Sequence, residues 1–155
     1  MLRGLTETVM IDGEPGLRVS GLSDHVPRRI ADYLKKEARG DLQERVGVHA
    51  PKVGRKVRSL TLRDTRSRWG SCSADGALSF SWRIVMAPPF VLDYLAAHEV
   101  AHLVEMNHSR RFWRVVTRIY PDWQRAKAWL NTHGTALHRY GEDGGHAAAP
   151  ASADY

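Results

Sequence analysis

The sequence predicts an α+β fold in which a small, largely antiparallel sheet packs on a helix, with further helices toward the C-terminus. Apolar residues recur three and four positions apart over residues 27–46, as in a helix. Alternating, strand-like patterns follow at 57–64 and 77–86, and helical periodicity returns from residue 88. A chain of 155 residues suits one domain with a real core. We therefore expect a single domain over residues 1–140.

Composition narrows the class of protein. The chain is 43% hydrophobic and 26% charged, which is ordinary for a globular protein. No apolar run approaches the roughly 18 residues that a membrane span needs, so we expect no membrane partner. The N-terminus lacks the apolar stretch of a signal peptide, and the single cysteine, Cys72, excludes an internal disulfide. These features predict a cytoplasmic protein.

Residues 1–22 are predicted to form an N-terminal hairpin. Strands are expected at 6–11 and 17–19, because turn-forming residues fill positions 12–16 between them. This hairpin precedes the first predicted helix.

A basic helix is predicted over residues 25–47, with Pro51 and Gly54 ending its pattern. Between residues 24 and 68 there are thirteen Lys and Arg against six Asp and Glu, a local balance of +7. A solvated basic surface explains this excess, and so does a patch for an anionic partner such as nucleic acid or a nucleotide. Both interpretations stay open.

The sheet is predicted from the middle of the chain. Residues 57–64 and 77–82 alternate as strands, and 83–86 is expected to extend the second. The dipeptide Asp75-Gly76 predicts a tight hairpin with the segment at 69–73. We expect three or four strands.

Three helices are predicted after the sheet. The first covers residues 88–106, the second begins after an N-cap at Ser109, and the third covers 121–134. Residues 141–155 have little apolar surface to bury and are predicted to be a disordered tail.

The first of these helices carries the sequence His98-Glu99-Val-Ala-His102. Residues four apart lie on the same helical face, so His98 and His102 can reach one ion. Glu99 is rotated by about 100° from His98, which places its carboxylate beside the ion rather than on it. That geometry suits a general base that takes a proton from a metal-activated water.

A third histidine, His108, imposes a constraint on the backbone. On a straight helix it would lie about 15 Å along the axis from His98, too far for both to bind one metal. The helix must therefore stop after His102, and we predict the turn at Asn107, a residue that tolerates helix-ending conformations.

Three imidazoles with an open fourth position describe a catalytic zinc site, with one Zn²⁺ per chain. Other divalent metals suit the same ligands. Glu105 is an alternative third ligand, and surface or core roles are expected for His25, His49, His133, His138 and His146.

The predicted chemistry is metal-dependent hydrolysis of a peptide or protein substrate. Two alternatives stay open: hydrolysis of a nucleotide or other phosphate-bearing substrate, and a DNA-associated protease or nucleic-acid-binding module. Both alternatives are compatible with the basic segment 24–68, which can bind phosphate groups.

The sequence resembles the YgjP-like metallopeptidases of the zincin group over about residues 57–140. The matching residues are Arg68-Trp69-Gly70-Ser71-Cys72-Ser73, Pro88, Asp93-Tyr94, His98-Glu99, His102, Asn107-His108-Ser109 and Phe112-Trp113. The resemblance implies a zincin-like fold, metal ligands at His98, His102 and His108, and the catalytic role of Glu99. SprT-like proteases, which cleave proteins on DNA, have a similar arrangement of helix and histidines.

Three further residues, Trp69, Ser71 and Arg83, are candidates for substrate binding. The loop that contains Trp69 leads into a predicted rim strand, to which an extended substrate can add by strand pairing. The alternative is that Trp69 packs in the core and that Gly70 supplies backbone freedom. Candidate transition-state stabilisers are Tyr94, Tyr120, Tyr140, His133 and Arg83.

Overall fold

A computed structural model of the chain describes residues 6–11, 14–19, 27–65 and 68–139. Strands β1 (Thr6–Ile11) and β2 (Glu14–Val19) pair antiparallel, which confirms the hairpin. β2 begins at Glu14 rather than at residue 17, so Pro15 and Gly16 belong to a strand and not to the predicted turn. Proline is tolerated in a strand that has a free edge. The predicted tail at 141–155 lies outside the described residues.

Helix α1 (Arg28–Val53) is longer than the predicted basic helix, which ended at residue 47. Pro51 lies inside its last turn, where a proline forfeits a single backbone hydrogen bond. The helix ends at Gly54, whose φ of 67° is left-handed and whose N–H faces the carbonyls of Ala50 and Pro51. Its buried face consists of residues at four-residue spacing: Ile30, Leu34, Ala38, Leu42 and Val46.

The larger sheet has three strands, β3 (Ser59–Arg63), β4 (Gly70–Cys72) and β5 (Ala77–Ser81), in the order β3-β5-β4. β4 pairs antiparallel with β5 across the predicted Asp75-Gly76 hairpin, and Gly76 has the φ of 90° that such a turn favours. β3 pairs parallel with β5, so this sheet is mixed. β4 is an edge strand, because among the described strands it pairs with β5 alone.

The predicted extension of β5 through residues 83–86 is wrong. Residues Trp82–Met86 form a 3₁₀ helix instead, and the Ser81 hydroxyl caps it by accepting from the Arg83 N–H. Trp82, Arg83 and Ile84 are all buried in succession, and a strand with one exposed face cannot bury consecutive side chains.

Helix α2 (Pro89–Ala101) lies at the centre of the molecule and contacts α1, β4, the 3₁₀ helix and the two helices that follow it, α3 (Arg110–Ile119) and α4 (Trp123–Arg139). Ten of its thirteen residues are buried, which is why its sequence is apolar on every side. None of the described helices combines the length and the apolar character that crossing a membrane requires.

α4 does not end near Gly134 as predicted but continues to Arg139. Gly134 lies against the indole of Trp69, and a Cβ at this position would come within 3.1 Å of Trp69 Nε1. The glycine therefore allows close packing of α4 on the core and does not terminate the helix.

A partly buried polar network ties α1 to α2. The Asp93 carboxylate on α2 accepts hydrogen bonds from His49 Nε2 at 2.6 Å and from Arg45 Nε at 2.9 Å, both on α1. His49 is 1% exposed, and its Nδ1 faces the Lys52 ammonium at 3.3 Å. Burial raises the pKa of the Asp93 carboxyl, but the hydrogen bonds from His49 and Arg45 outweigh it and lower that pKa below its ordinary value.

We expect Asp93→Ala to lower the free energy of unfolding by about 2 kcal/mol at pH 7, because it leaves the buried His49 ring without its hydrogen-bond partner. Urea denaturation measures this, with Asp32→Ala on the exposed face of α1 as the control. A carboxyl with a lowered pKa stabilises the fold above its unfolded pKa of about 3.9 and loses that effect as the pH falls through the folded value. The difference between wild type and variant should therefore shrink below about pH 4, and a pH-independent difference would contradict this account.

Candidate metal centre

Three histidine side chains converge at the C-terminal end of α2. His98 lies in the last turn of α2, His102 caps that helix, and His108 lies in the segment before α3. His108 Nε2 is 3.2 Å from His98 Nε2 and 3.1 Å from His102 Nε2. The three side chains thus offer three nitrogen atoms to one point.

The helix break that this convergence requires occurs at His102, earlier than predicted. α2 ends at Ala101, and the N–H groups of Leu103 and Val104 bond carbonyls three residues back, at 2.9 and 3.1 Å. This tightened turn redirects the chain five residues before Asn107, so the prediction of a helix through residue 106 is wrong. The prediction of Ser109 as N-cap of α3 is confirmed, because its hydroxyl accepts from the Phe112 N–H.

Hydrogen bonds at the other ring nitrogens orient two of the histidines. His102 Nδ1 donates to the Glu105 carbonyl oxygen at 2.9 Å, which leaves the lone pair of a neutral ring on Nε2. His98 Nδ1 lies 3.1 Å from the hydroxyl of Tyr94, one turn earlier on α2. Such partners behind a ligand fix its tautomer and its ring orientation.

Packing and burial complete the orientation of the rings. The Phe112 ring packs against His98, His102 and His108, with centroid distances of 4.9, 4.4 and 4.9 Å. Burial lowers the pKa of His98 well below its ordinary value, and His102 and His108 lower it further. Burial also lowers the pKa of His102. His98 and His102 are therefore favoured as neutral imidazoles, the form that binds a metal.

The spacing of the nitrogens fits a single tetrahedral ion. Zinc–nitrogen bonds of 2.0–2.1 Å at tetrahedral angles separate two ligand nitrogens by about 3.3 Å. The two distances of 3.1 and 3.2 Å agree with this value, and all three nitrogens lie within 4.8 Å of one another. Among the described residues the His98, His102 and His108 cluster is the group that can hold an ion, and Glu105, the alternative ligand, is not part of it.

Glu99 follows His98 on α2 and is buried. Its side chain is 1% exposed, and within the described part of the chain neither carboxylate oxygen has a hydrogen-bond partner. Burial raises the pKa of this carboxyl well above its ordinary value, and the charge of Arg68 lowers it only in part. A carboxyl held without partners in an apolar site has a strong tendency to take a proton.

Gly70 on β4 makes room for Glu99. A Cβ at this position would come within 2.9 Å of Glu99 Oε2 and 2.9 Å of the Ser79 carbonyl oxygen. The positive-φ glycines of the described residues are Gly54 and Gly76, so the sequence-based expectation of backbone freedom at Gly70 is wrong. Its contribution is space, which no sequence pattern could reveal because the two partners lie about thirty residues apart.

The three candidate substrate-binding residues occupy different environments. Trp69 is fully buried and packs against His138 with ring centroids 3.8 Å apart, in line with the core-packing alternative. Arg83 is also buried and pairs with Asp64 at 3.1 Å. Only Ser71, at the middle of edge strand β4, keeps partly exposed surface.

Of the other candidate stabilisers within the described residues, Tyr94 contacts a member of the histidine cluster. Tyr94 is buried behind His98, and Tyr120 donates to the Phe90 carbonyl oxygen at 2.8 Å. His133 is exposed and stacks on Trp129. The side chain of Tyr140 lies outside the described residues, as do His25 and His146.

Comparison with known proteins identifies the family of this chain. One solved structure similar to this chain is the metallopeptidase zymogen of Pyrococcus abyssi abylysin, which is 21% identical. The match covers 65% of this chain and 91% of that chain, with a TM-score of 0.47. The comparison with curated proteins gives no significant match. The sequence model of the YgjP-like metallopeptidase domain matches residues 7–133, and the chain therefore belongs to the YgjP-like metallopeptidase family.

Proposed function

We propose that this metallopeptidase holds one zinc ion through the Nε2 atoms of His98, His102 and His108. The observation that carries the proposal is the approach of three Nε2 atoms to one point while Nδ1 atoms are engaged behind them. Three imidazoles with an open fourth position are typical of catalytic zinc sites, although other divalent metals accept the same ligands. The bound ion supplies Lewis acidity at the carbonyl under attack.

Glu99 is the proposed general base. Glu99 follows His98 on α2, and its carboxylate has no hydrogen bond of its own among the described residues, which leaves it available to the attacking water. Glu99 then passes the proton to the amine that leaves when the peptide bond breaks.

Edge strand β4 is the proposed docking site for the substrate backbone. In the described sheet β4 pairs on one side only, with β5, and an extended peptide can add to its other side. Because Gly70 of β4 lies against Glu99, a peptide on this edge passes close to the general base. Ser71 is the side chain of this strand with surface left to contact it.

The anionic partner inferred from the basic segment 24–68 stays a prediction, as does a cytoplasmic location. Membership of a metallopeptidase family favours peptide bonds over phosphoesters as the bonds that this site hydrolyses.

The central test of this mechanism is Glu99→Gln. We expect full metal occupancy by elemental analysis, since the amide replaces no ligand, and a loss of kcat/KM of about 10³ on unfolded protein substrates. Glu105→Gln is the matched control, because its side chain lies outside the cluster and its backbone carbonyl still holds His102. Equal activity of wild type and Glu99→Gln would rule out this role.

Gly70→Ala tests the close approach of β4 to Glu99. The added methyl group must displace either the carboxylate or the Ser79 carbonyl, so we expect activity to fall at least about tenfold with metal content unchanged. Gly40→Ala in α1 is the control: its Cβ would meet nothing within 4 Å, and the change should stabilise the helix by about 0.5–1 kcal/mol. An active Gly70→Ala enzyme would mean that Glu99 is not held as described.

A further inference from the structure

A surface groove adjoins the histidine cluster. It has a volume of about 620 Å³ and lies along α3. Its walls are formed by His108, Arg110, Trp113, Arg114, Thr117 and Arg118. We call it the arginine groove. Since His108 belongs both to the proposed metal site and to the groove, the groove lies next to that site.

The arginine groove is strongly basic. Arg110, Arg114 and Arg118 are exposed and follow one another at four-residue spacing, on one face of α3. Within the described part of the chain no carboxylate pairs with any of the three, and α3 itself contains no acidic residue. Like charges at this spacing repel one another and destabilise a helix, so the row does not stabilise α3.

The spacing of these arginines matches that of an extended peptide. Successive members rise by about 6 Å along the helix, and alternate side chains of an extended strand are about 6.7 Å apart. A peptide lying along α3 can therefore present every second side chain to one arginine. Carboxylates are the side chains that guanidinium groups bind best.

We propose that the arginine groove binds an acidic segment of the substrate, on one side of the peptide bond that is cleaved. The enzyme then selects sites flanked by aspartate or glutamate residues. This inference rests on the proposed peptidase function, since it takes the groove as a continuation of the same substrate path past His108.

The groove favours an acidic peptide over a nucleic acid. Proteins that bind single strands offer aromatic faces on which bases stack. The aromatic ring in this groove is that of Trp113, and it already packs against Trp123 at 4.5 Å and the Lys127 ammonium at 5.1 Å. The groove thus supplies charge without a free stacking platform.

The first arm of the test is cleavage of a proteome-derived peptide library by the metal-loaded protein, with cleaved sites aligned by mass spectrometry. We expect acidic residues to be enriched about threefold on one side of the cleaved bond. Arg114→Glu should abolish that enrichment and favour Lys and Arg instead. Arg111→Glu is the matched control, because Arg111 is an exposed neighbour on α3 that does not line the groove. Cleavage without acidic enrichment would overturn the proposal and leave the peptidase function standing.

The second arm measures binding rather than activity. In the Glu99→Gln background, fluorescence anisotropy compares an oligoglutamate peptide with an oligonucleotide of equal charge. We expect tighter binding of the peptide, weakened about fivefold by Arg114→Glu and unchanged by Arg111→Glu. If the peptide binds in this way but wild type cleaves nothing, the peptidase function is refuted, while the binding of an acidic segment in the arginine groove is supported. Equal or tighter binding of the oligonucleotide, or no effect of Arg114→Glu, would overturn the proposal.

Discussion

The convergence of three histidine side chains is the constraint on which the rest of this structure depends. His98 and His108 would be about 15 Å apart on a continuous helix, so the site exists only because α2 ends at Ala101. The tightened turn after Ala101 reverses the chain, and the Ser109 cap starts α3 in a direction that returns His108 to the cluster. The backbone path between residues 101 and 110 is therefore part of the metal site.

Holding these side chains in place requires a rigid and largely buried α2. Burial of Glu99 without a partner among the described residues is costly for folding. The surrounding core offsets this cost: α2 is buried on nearly every face, and the Asp93 network anchors it to α1. Gly70 adds a local condition, because only the absence of a side chain there lets an edge strand lie against the carboxylate. Stability and reactivity are thus set by the same helix.

Much of the site could be predicted from sequence because its residues lie close together along the chain. The spacing of His98 and His102, the position of Glu99 and the cap at Ser109 all follow from helical geometry within a dozen residues. The need for a break before His108 follows from distance alone. The prediction of this break at Asn107 is wrong. From His102 to Val104 the backbone N–H groups bond carbonyls three rather than four residues back, and that choice depends on packing that sequence patterns do not encode.

The features that sequence did not predict depend on contacts between distant segments. The sequence pattern predicts a helix end at Gly134, yet this glycine allows α4 to pack on Trp69. The parallel pairing of β3 with β5 and the 3₁₀ helix after Ser81 are likewise set by burial in the assembled core. The arginine row of α3 is visible in the sequence, but its position next to His108 appears only in three dimensions.

The most direct test of the central claim is a crystal structure of the zinc-loaded protein with anomalous data collected at the zinc edge. The account predicts one anomalous peak per chain, at about 2.1 Å from Nε2 of His98, His102 and His108. A peak at another position, or an ion bound by the Glu105 carboxylate in place of His108, would contradict it.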